Sequence, residues 1–318
     1  MILVTGAAGF IGKAVVQRLL AMDESPYVAV AARRVGQQWP ERVLPRVTGD
    51  LELTSDWSAA LDDVSSVVHC AARVHVMADT APNPLEEFRR VNVQGTMDLA
   101  RQAAAAGARR FVFVSSAKVN GESTLAGQAF TESDVASPQD PYAQSKHEAE
   151  IGLRQLAADT GLEVVIIRPP LVYGPGVKAN FASLTRAVLR GWPLPLGSVH
   201  NQRSLVALDN LVDLIVTCLS HPAAANQTFL ASDGQDLSTA DLVRGMARAA
   251  GVSARLWPVP VWALLAAGGA LGKEEAVQRL CGNLQLDITK ARMLLGWVPL
   301  VSADEGLRRA MCSYEKKF

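Results

Sequence analysis

The chain is poor in cysteine and aromatics: four cysteines, Cys70, Cys218, Cys281 and Cys312, stand far apart in 318 residues, and aromatic side chains make up 6%. With no CxxC pair there is no basis for a disulfide framework, and the usage suits a reducing compartment. The five histidines, His69, His75, His147, His200 and His221, show no metal-ligand spacing with each other or with cysteine, so no metal is expected. No GxSxG elbow offers a nucleophile. An excess of charge is lacking too, since 31 Lys plus Arg face 31 Asp plus Glu and the pI is near 7.0. A neutral chain lacks the field that gathers nucleic acid or an anionic membrane, which leaves small-molecule work as the expectation. The chain opens on Met1-Ile2-Leu3-Val4 with no basic n-region, apolar h-region or cleavage site, so a cytoplasmic protein is expected. The longest apolar run, residues 256–271, has 16 residues, is broken by Pro258 and Pro260, and contains Gly268-Gly269. That is too short to span a bilayer, and it predicts a buried helix.

What the chain does have is hydrophobic mass, 49% of its residues, enough for one large domain or two unequal ones. Short valine-rich runs at 2–5, 27–31, 42–48, 66–70, 110–115 and 163–168 alternate with helical patterns at 11–21, 55–61, 85–106 and 142–159. Continuous apolar strands separated by helices predict an α/β fold, a Rossmann-type doubly wound parallel sheet. Beyond Arg168, Pro169-Pro170, Gly174-Pro175-Gly176 and Trp192-Pro193-Leu194-Pro195 break the periodicity. A smaller α/β C-terminal substrate lobe is therefore expected from 171–204 and 232–318, beside a dinucleotide-binding domain of 1–170 to which 205–231 returns. Helices are predicted at 181–190, 211–220, 238–250 and 289–295, and from Ala303 onward.

The first strand runs directly into Thr5-Gly6-Ala7-Ala8-Gly9-Phe10-Ile11-Gly12 and then a helix. Glycines where a strand hands over to a helix N-terminus let a pyrophosphate approach unpaired N–H groups and the positive end of the helix dipole. The spacing is GxxGxxG rather than GxGxxG. After the second strand, where a carboxylate would bind the ribose 2′-hydroxyl of NAD, stand Arg33 and Arg34. Two guanidinium groups suit a 2′-phosphate, so NADP(H) is the preferred cofactor, with NAD(H) as the alternative. Asp50, after the third strand, is placed to accept from the adenine amine.

Tyr142 and Lys146, at i and i+4, share one helix face. An ammonium beside a phenol is expected to lower its pKa from about 10 by two or three units and make it an effective proton donor. Ser116, just past the fifth strand, lies at the carboxyl edge of the sheet, where it can hydrogen-bond the oxygen that Tyr142 protonates.

With these motifs the chain resembles the extended short-chain dehydrogenase/reductase superfamily, in its nucleotide-sugar epimerase, dehydratase and reductase group. Further motifs follow in order: Gly49-Asp50-Leu51, His69-Cys70-Ala71-Ala72, Val91-Asn92, Ser115-Ser116-Ala117, Arg168-Pro169 and Leu295-Gly296-Trp297. The resemblance implies Tyr142, Lys146 and Ser116 as catalytic residues, with Lys146 also on the nicotinamide ribose. It places Leu51, Ala71, Ala72 and Asn92 along the cofactor. It implies a UDP-sugar substrate held by Arg203, with Arg279 as a second cation and Lys178, Asn180 and Phe181 near the diphosphate and uracil. Homodimers built on the long helices are common in that superfamily. Ala117 and Lys118 stand where its dehydratases carry acids, which argues against dehydration, and Pro170 replaces an asparagine common in epimerases. Through residues 116–122 and 176–181 the chain is most similar to bacterial O-antigen enzymes that reduce C4 of UDP-4-keto-2-acetamido-2,6-dideoxyhexoses. The reading is thus an NADPH-dependent C4-reductase of lipopolysaccharide precursor synthesis, with a UDP-hexose or UDP-HexNAc 4-epimerase holding NAD tightly as the alternative.

Overall fold

Runs such as Ser66-Val67-Val68-His69, β-branched and apolar on both faces, become strands covered on both sides by helices. A computed structural model describes residues 1–23, 26–32, 38–48, 51, 56–74 and 83–315. The chain opens, in order, with β1 (Ile2–Thr5), α1 (Phe10–Leu20), β2 (Val28–Ala32), β3 (Val43–Val47), α2 (Ser58–Leu61), β4 (Ser66–His69), α3 (Pro84–Phe88), α4 (Thr96–Ala105), β5 (Arg110–Val114), α5 (Pro141–Thr160) and β6 (Glu163–Arg168). There follow β7 (Leu171–Tyr173), α6 (Ala179–Leu189), β8 (Arg203–Ala207), α7 (Leu208–Ser220), β9 (Thr228–Leu230) and β10 (Asp236–Leu237). The chain closes with α8 (Thr239–Ala249), α9 (Val261–Ala270), α10 (Glu274–Cys281), α11 (Thr289–Leu295) and α12 (Ala303–Glu315).

The main sheet has the order β3-β2-β1-β4-β5-β6-β9 with every pairing parallel. Strand order reverses between β1 and β4, and in open α/β sheets ligands bind outside the carboxyl ends at such a switch point. One core packs α1 and α7 on one face through Val15, Leu19, Leu211 and Ile215. Another packs α4 and α5 on the other face through Leu99, Ala103, Ala149 and Leu153. A small sheet, β10-β8-β7, and the helices α6, α8 and α12 build a third core around Tyr173, Phe181, Met246 and Met311.

Two expectations are corrected. The helix predicted over 85–106 is interrupted: a π-helical stretch, Arg89–Gly95, separates α3 from α4. Residue periodicity does not register one extra residue per turn, and such stretches concentrate at functional sites. The run 256–271 is not a buried helix. Its helical part, α9, buries only Gly268, and the run leaves Trp257, Trp262 and Leu271 at 62, 73 and 72% exposure. Its inner side meets Val277 of α10 through Gly268 and the third core through Val261 and Leu264.

Candidate active site

The glycine turn is built for close approach. Gly6 has φ +65, and a Cβ there would come within 2.7 Å of the Ala71 nitrogen; at Gly12 it would come within 2.3 Å of the Gly6 carbonyl oxygen. No larger residue fits either place without moving backbone. Gly9 caps α1 with no side chain to satisfy the first amides, and no acidic residue lies in the first turn. Phe10 and Ile11, half-buried, open the helix. The helix end is thus free to receive an anion. A concavity of about 260 Å³ starts beside the turn at Ala7 and Ala8 and runs along the flank of α1, lined by Lys13, Val16, Gln17 and Trp39 among others. Thr5 Oγ1 accepts from the Ala71 amide at 3.2 Å and pairs with His69 Nδ1 at 2.7 Å, fastening the β1 and β4 ends together. Ala71 and Ala72 follow at that edge, half-buried. Leu51 is half-buried, its carbonyl 2.9 Å from where a Cβ on Gly95 would stand. Together these residues fit a dinucleotide. Arg33, Arg34 and Asp50 lie outside the described residues.

Asn92 has a different place from the one expected. It is buried, its amide donating to the Arg73 carbonyl and Ser145 Oγ, both at 3.0 Å, while its oxygen accepts from the Arg73 amide at 2.8 Å. With those partners it pins the loop after β4 to α5. The π-helical stretch carries it there.

Asp140 begins α5 by accepting the Ala143 amide at 2.6 Å, with Pro141 at the first position. This fixes the helix that carries Tyr142 and Lys146. Lys146 is buried, with Nζ 4.1 Å from the centroid of the Phe113 ring on β5. Burial pulls its pKa down to about 7 against the charge of Glu150. The same burial, with the Lys146 charge, lowers His69 to about 3 and keeps it neutral. Tyr142 is half-buried, its ring edge-on to Phe88 at 6.0 Å. Its phenol reverses the expected shift: burial, and then the Asp140 carboxylate, push it above its ordinary value. The i, i+4 spacing is there, but desolvation of the phenol outweighs the neighbouring cation. Neither the Tyr142 hydroxyl nor Lys146 Nζ has a hydrogen-bond partner among the described residues, which leaves both for a ligand. Ser116 caps the short turn Ala117–Val119 by accepting the Lys118 amide at 3.3 Å.

The state of Lys146 makes a stability prediction. Its folded pKa, about 7, lies below the unfolded value near 10.5, so its cost to the fold is full below pH 7 and gone above about 10.5. Lys146→Met should therefore stabilise the ligand-free protein at pH 6, on the order of 1–3 kcal/mol, with the gain fading toward pH 10. Thermal melts of both proteins across that range check it; a gain that grows with pH would contradict the assignment.

Of the residues expected to hold the substrate, Phe181 is 4% exposed and stacks on Tyr173 at 5.7 Å in the third core. Lys178 and Asn180 are exposed at the start of α6. Arg203 is half-buried and donates to the Gly282 carbonyl at 3.0 Å. Burial and the neighbouring Arg279 lower its pKa against the charge of Glu122, so the fold brings Arg203, Arg279 and the loop after β5 together. That loop is laced to residues 283–287 by Thr124 N to Asn283 O at 3.0 Å and Phe130 N to Gln285 O at 2.8 Å. Arg279 also pairs with Glu275 at 2.9 Å.

Two clusters were not legible in the sequence. Lys118 Nζ donates to Glu122 at 2.7 Å and Asp140 at 2.5 Å, tying the Ser116 turn to the Tyr142 helix. Beneath it, fully buried Glu150 accepts from Arg168 at 2.5 Å and Ser115 Oγ at 2.6 Å, and Arg168 also donates to Asn120 at 2.9 Å. Another concavity, about 490 Å³ and polar, is lined by Glu132, His147, Arg154 and Lys290 among others, none of them a residue of the glycine turn.

A family model described as the NAD dependent epimerase/dehydratase family matches residues 2–231. A UDP-glucose 4-epimerase of Vibrio cholerae is 49% identical over 97% of this chain and 93% of its own. A double mutant of a dTDP-glucose 4,6-dehydratase from Streptomyces venezuelae, solved with NAD and DAU bound, is 28% identical with TM-score 0.78, covering 99% of this chain and 97% of that one. A Bacillus cereus UDP-glucuronic acid 4-epimerase in complex with UDP-glucuronic acid and NAD shares the fold at TM-score 0.80 and 22% identity, covering 100% of this chain and 99% of that one.

Proposed function

Because the chain belongs to the NAD dependent epimerase/dehydratase family, we propose that it interconverts the C4 epimers of a UDP-hexose with NAD held tightly. One observation carries the reading: a phenol and an ammonium one turn apart on α5, unpaired by the described residues, at the edge of the sheet where the glycine turn opens. The Vibrio cholerae relative, named a UDP-glucose 4-epimerase, supports it. Held at the glycine turn, a nicotinamide dinucleotide supplies a hydride acceptor and, in the return direction, a hydride donor. Tyr142 gives its phenolic proton to the C4 oxygen as the ketone is reduced, and the phenolate takes the C4 hydroxyl proton as that carbon is oxidised. Ser116 Oγ hydrogen-bonds the same oxygen and holds it in line. Lys146, charged on one side of neutral pH and uncharged on the other, stabilises the phenolate that forms. Arg203 and Arg279, with Lys178, neutralise the diphosphate in a cleft between a dinucleotide lobe, 1–170 with 205–231, and a substrate lobe of 171–204 and 232–318.

A second reading rests on Arg33 and Arg34 standing where a carboxylate would favour NAD. They favour NADPH, which would enter as co-substrate for reduction of a UDP-4-keto sugar. One preparation separates the two. Purified protein that releases NAD on denaturation and converts UDP-galactose to UDP-glucose with nothing added is the expected result. Loss of NADPH absorbance only when a 4-keto sugar nucleotide is supplied, with no epimerisation, would replace the first reading by the second.

A further inference from the structure

Helix α9, Val-Trp-Ala-Leu-Leu-Ala-Ala-Gly-Gly-Ala, has no polar side chain on any face, yet it lies on the surface. Helices apolar all round belong in a core or against lipid. Its outward side carries Trp262, Ala266 and Ala270, and Leu271 follows at the turn. Trp257 precedes it, and Trp192 stands on the adjoining extended segment, which is paired to this one by Leu194 N to Arg255 O and Trp257 N to Leu194 O, both 2.8 Å. Three of the six tryptophans thus stand exposed on this helix and on the two paired segments beside it, at 55, 62 and 73%.

The charge carried by the segments that bear them is one-signed. Although the whole chain is neutral, residues 164–208 and 242–273 contain no Asp or Glu. They carry, among others, Arg186 on α6, Arg190 just after it, Arg255 before Trp257, and Lys273 after α9. The Arg190 guanidinium lies 5.5 Å over the Trp192 ring, and Arg255 lies beside Gly191. The nearest acids along the chain, Glu274 and Glu275, are engaged on α10 by Gln278 and Arg279.

We propose that this face of the second lobe seats on the surface of an anionic bilayer, α9 lying flat in the headgroup layer. Tryptophan prefers that layer, where its ring is apolar and its N–H wet, and arginine reaches from it to lipid phosphate. Ten residues cannot span a bilayer, and no described helix is long and apolar enough to do so. Zero net charge predicts no membrane affinity, but juxtaposed local charge decides binding within a Debye length. The inference is independent of which sugar-nucleotide reaction the site performs.

Sedimentation of the full chain with vesicles tests it, using phosphatidylcholine alone and phosphatidylcholine mixed with phosphatidylglycerol. The protein is expected to pellet with the mixed vesicles, to be released by high salt, and to shift its tryptophan emission to the blue. Trp257→Ser with Trp262→Ser should weaken the partition at least about tenfold. Arg190→Glu with Arg255→Glu, which leaves the apolar face intact, should remove the preference for phosphatidylglycerol to a similar degree. Neither pair should alter turnover on soluble substrate. Wild-type protein that stays in the supernatant with both vesicles, or pelleting untouched by either pair, would overturn the proposal. So would a concentration-dependent dimer in sedimentation equilibrium that the tryptophan changes abolish, since a second copy would then cover the face.

Discussion

Tyr142→Phe is expected to lower turnover about 10²- to 10⁴-fold, the usual worth of a positioned general acid or base, while leaving the melting temperature and UDP binding near wild type. The ring packs edge-on to Phe88, and phenylalanine keeps that contact. The hydroxyl has no hydrogen bond among the described residues, so removing it strands no partner. Its loss should therefore read out in kcat rather than in KM. Burial and Asp140 hold the phenol high, so for oxidation at C4, which needs the phenolate, the acid limb of the wild-type pH profile should lie above neutrality. Steady-state kinetics with each partner sugar nucleotide, beside calorimetric melts, decide the matter. Turnover within about threefold of wild type would remove Tyr142 from the chemistry.

The second large effect is on the scaffold. Glu150→Gln should destabilise the fold by about 3–5 kcal/mol, because the Arg168 guanidinium beneath the site is left buried without its counter-charge. Burial alone would raise the Glu150 pKa. The hydrogen bonds and charge of Arg168, with Ser115 and Arg154, outweigh that and hold the carboxyl below its usual range. A depressed folded pKa contributes stability present above the unfolded value, near 4.3, and lost as the pH falls below it. The gap between wild type and variant in urea should therefore narrow in acid; a gap that stays constant from pH 7 to below pH 4 would show that ionisation of Glu150 is not its source. Glu150 is also one turn beyond Lys146 on α5 and supports the ammonium. The variant should thus make Lys146 harder to charge as well as loosen the fold.

The motifs legible in the sequence are those in which a local segment carries its own reason. Gly6, Gly9 and Gly12 between a strand and a helix, and Tyr142 with Lys146 at i and i+4, are set by backbone geometry within a dozen residues. The α/β alternation came through to within a few residues for the same cause, since a strand buried on both faces must read as a continuous apolar run. What stayed hidden depends on distant neighbours. Phe181 sits beside two motif residues in sequence, but Tyr173 draws it into the core. Asn92 is spent on Arg73 and Ser145, which the loop after β4 and α5 bring to it.

By itself the sequence determined the parallel sheet, the anion-ready turn and the helix face that presents a phenol and an ammonium, because each rests on short-range periodicity. Tertiary structure alone decided the protonation of those groups. Desolvation, which depends on everything packed around a side chain, raises Tyr142 and lowers Lys146 where spacing alone predicts a lowered phenol. It decided equally that residues 256–271 lie outside the core, since apolar composition states a preference for burial but not whether a neighbour is there to provide it.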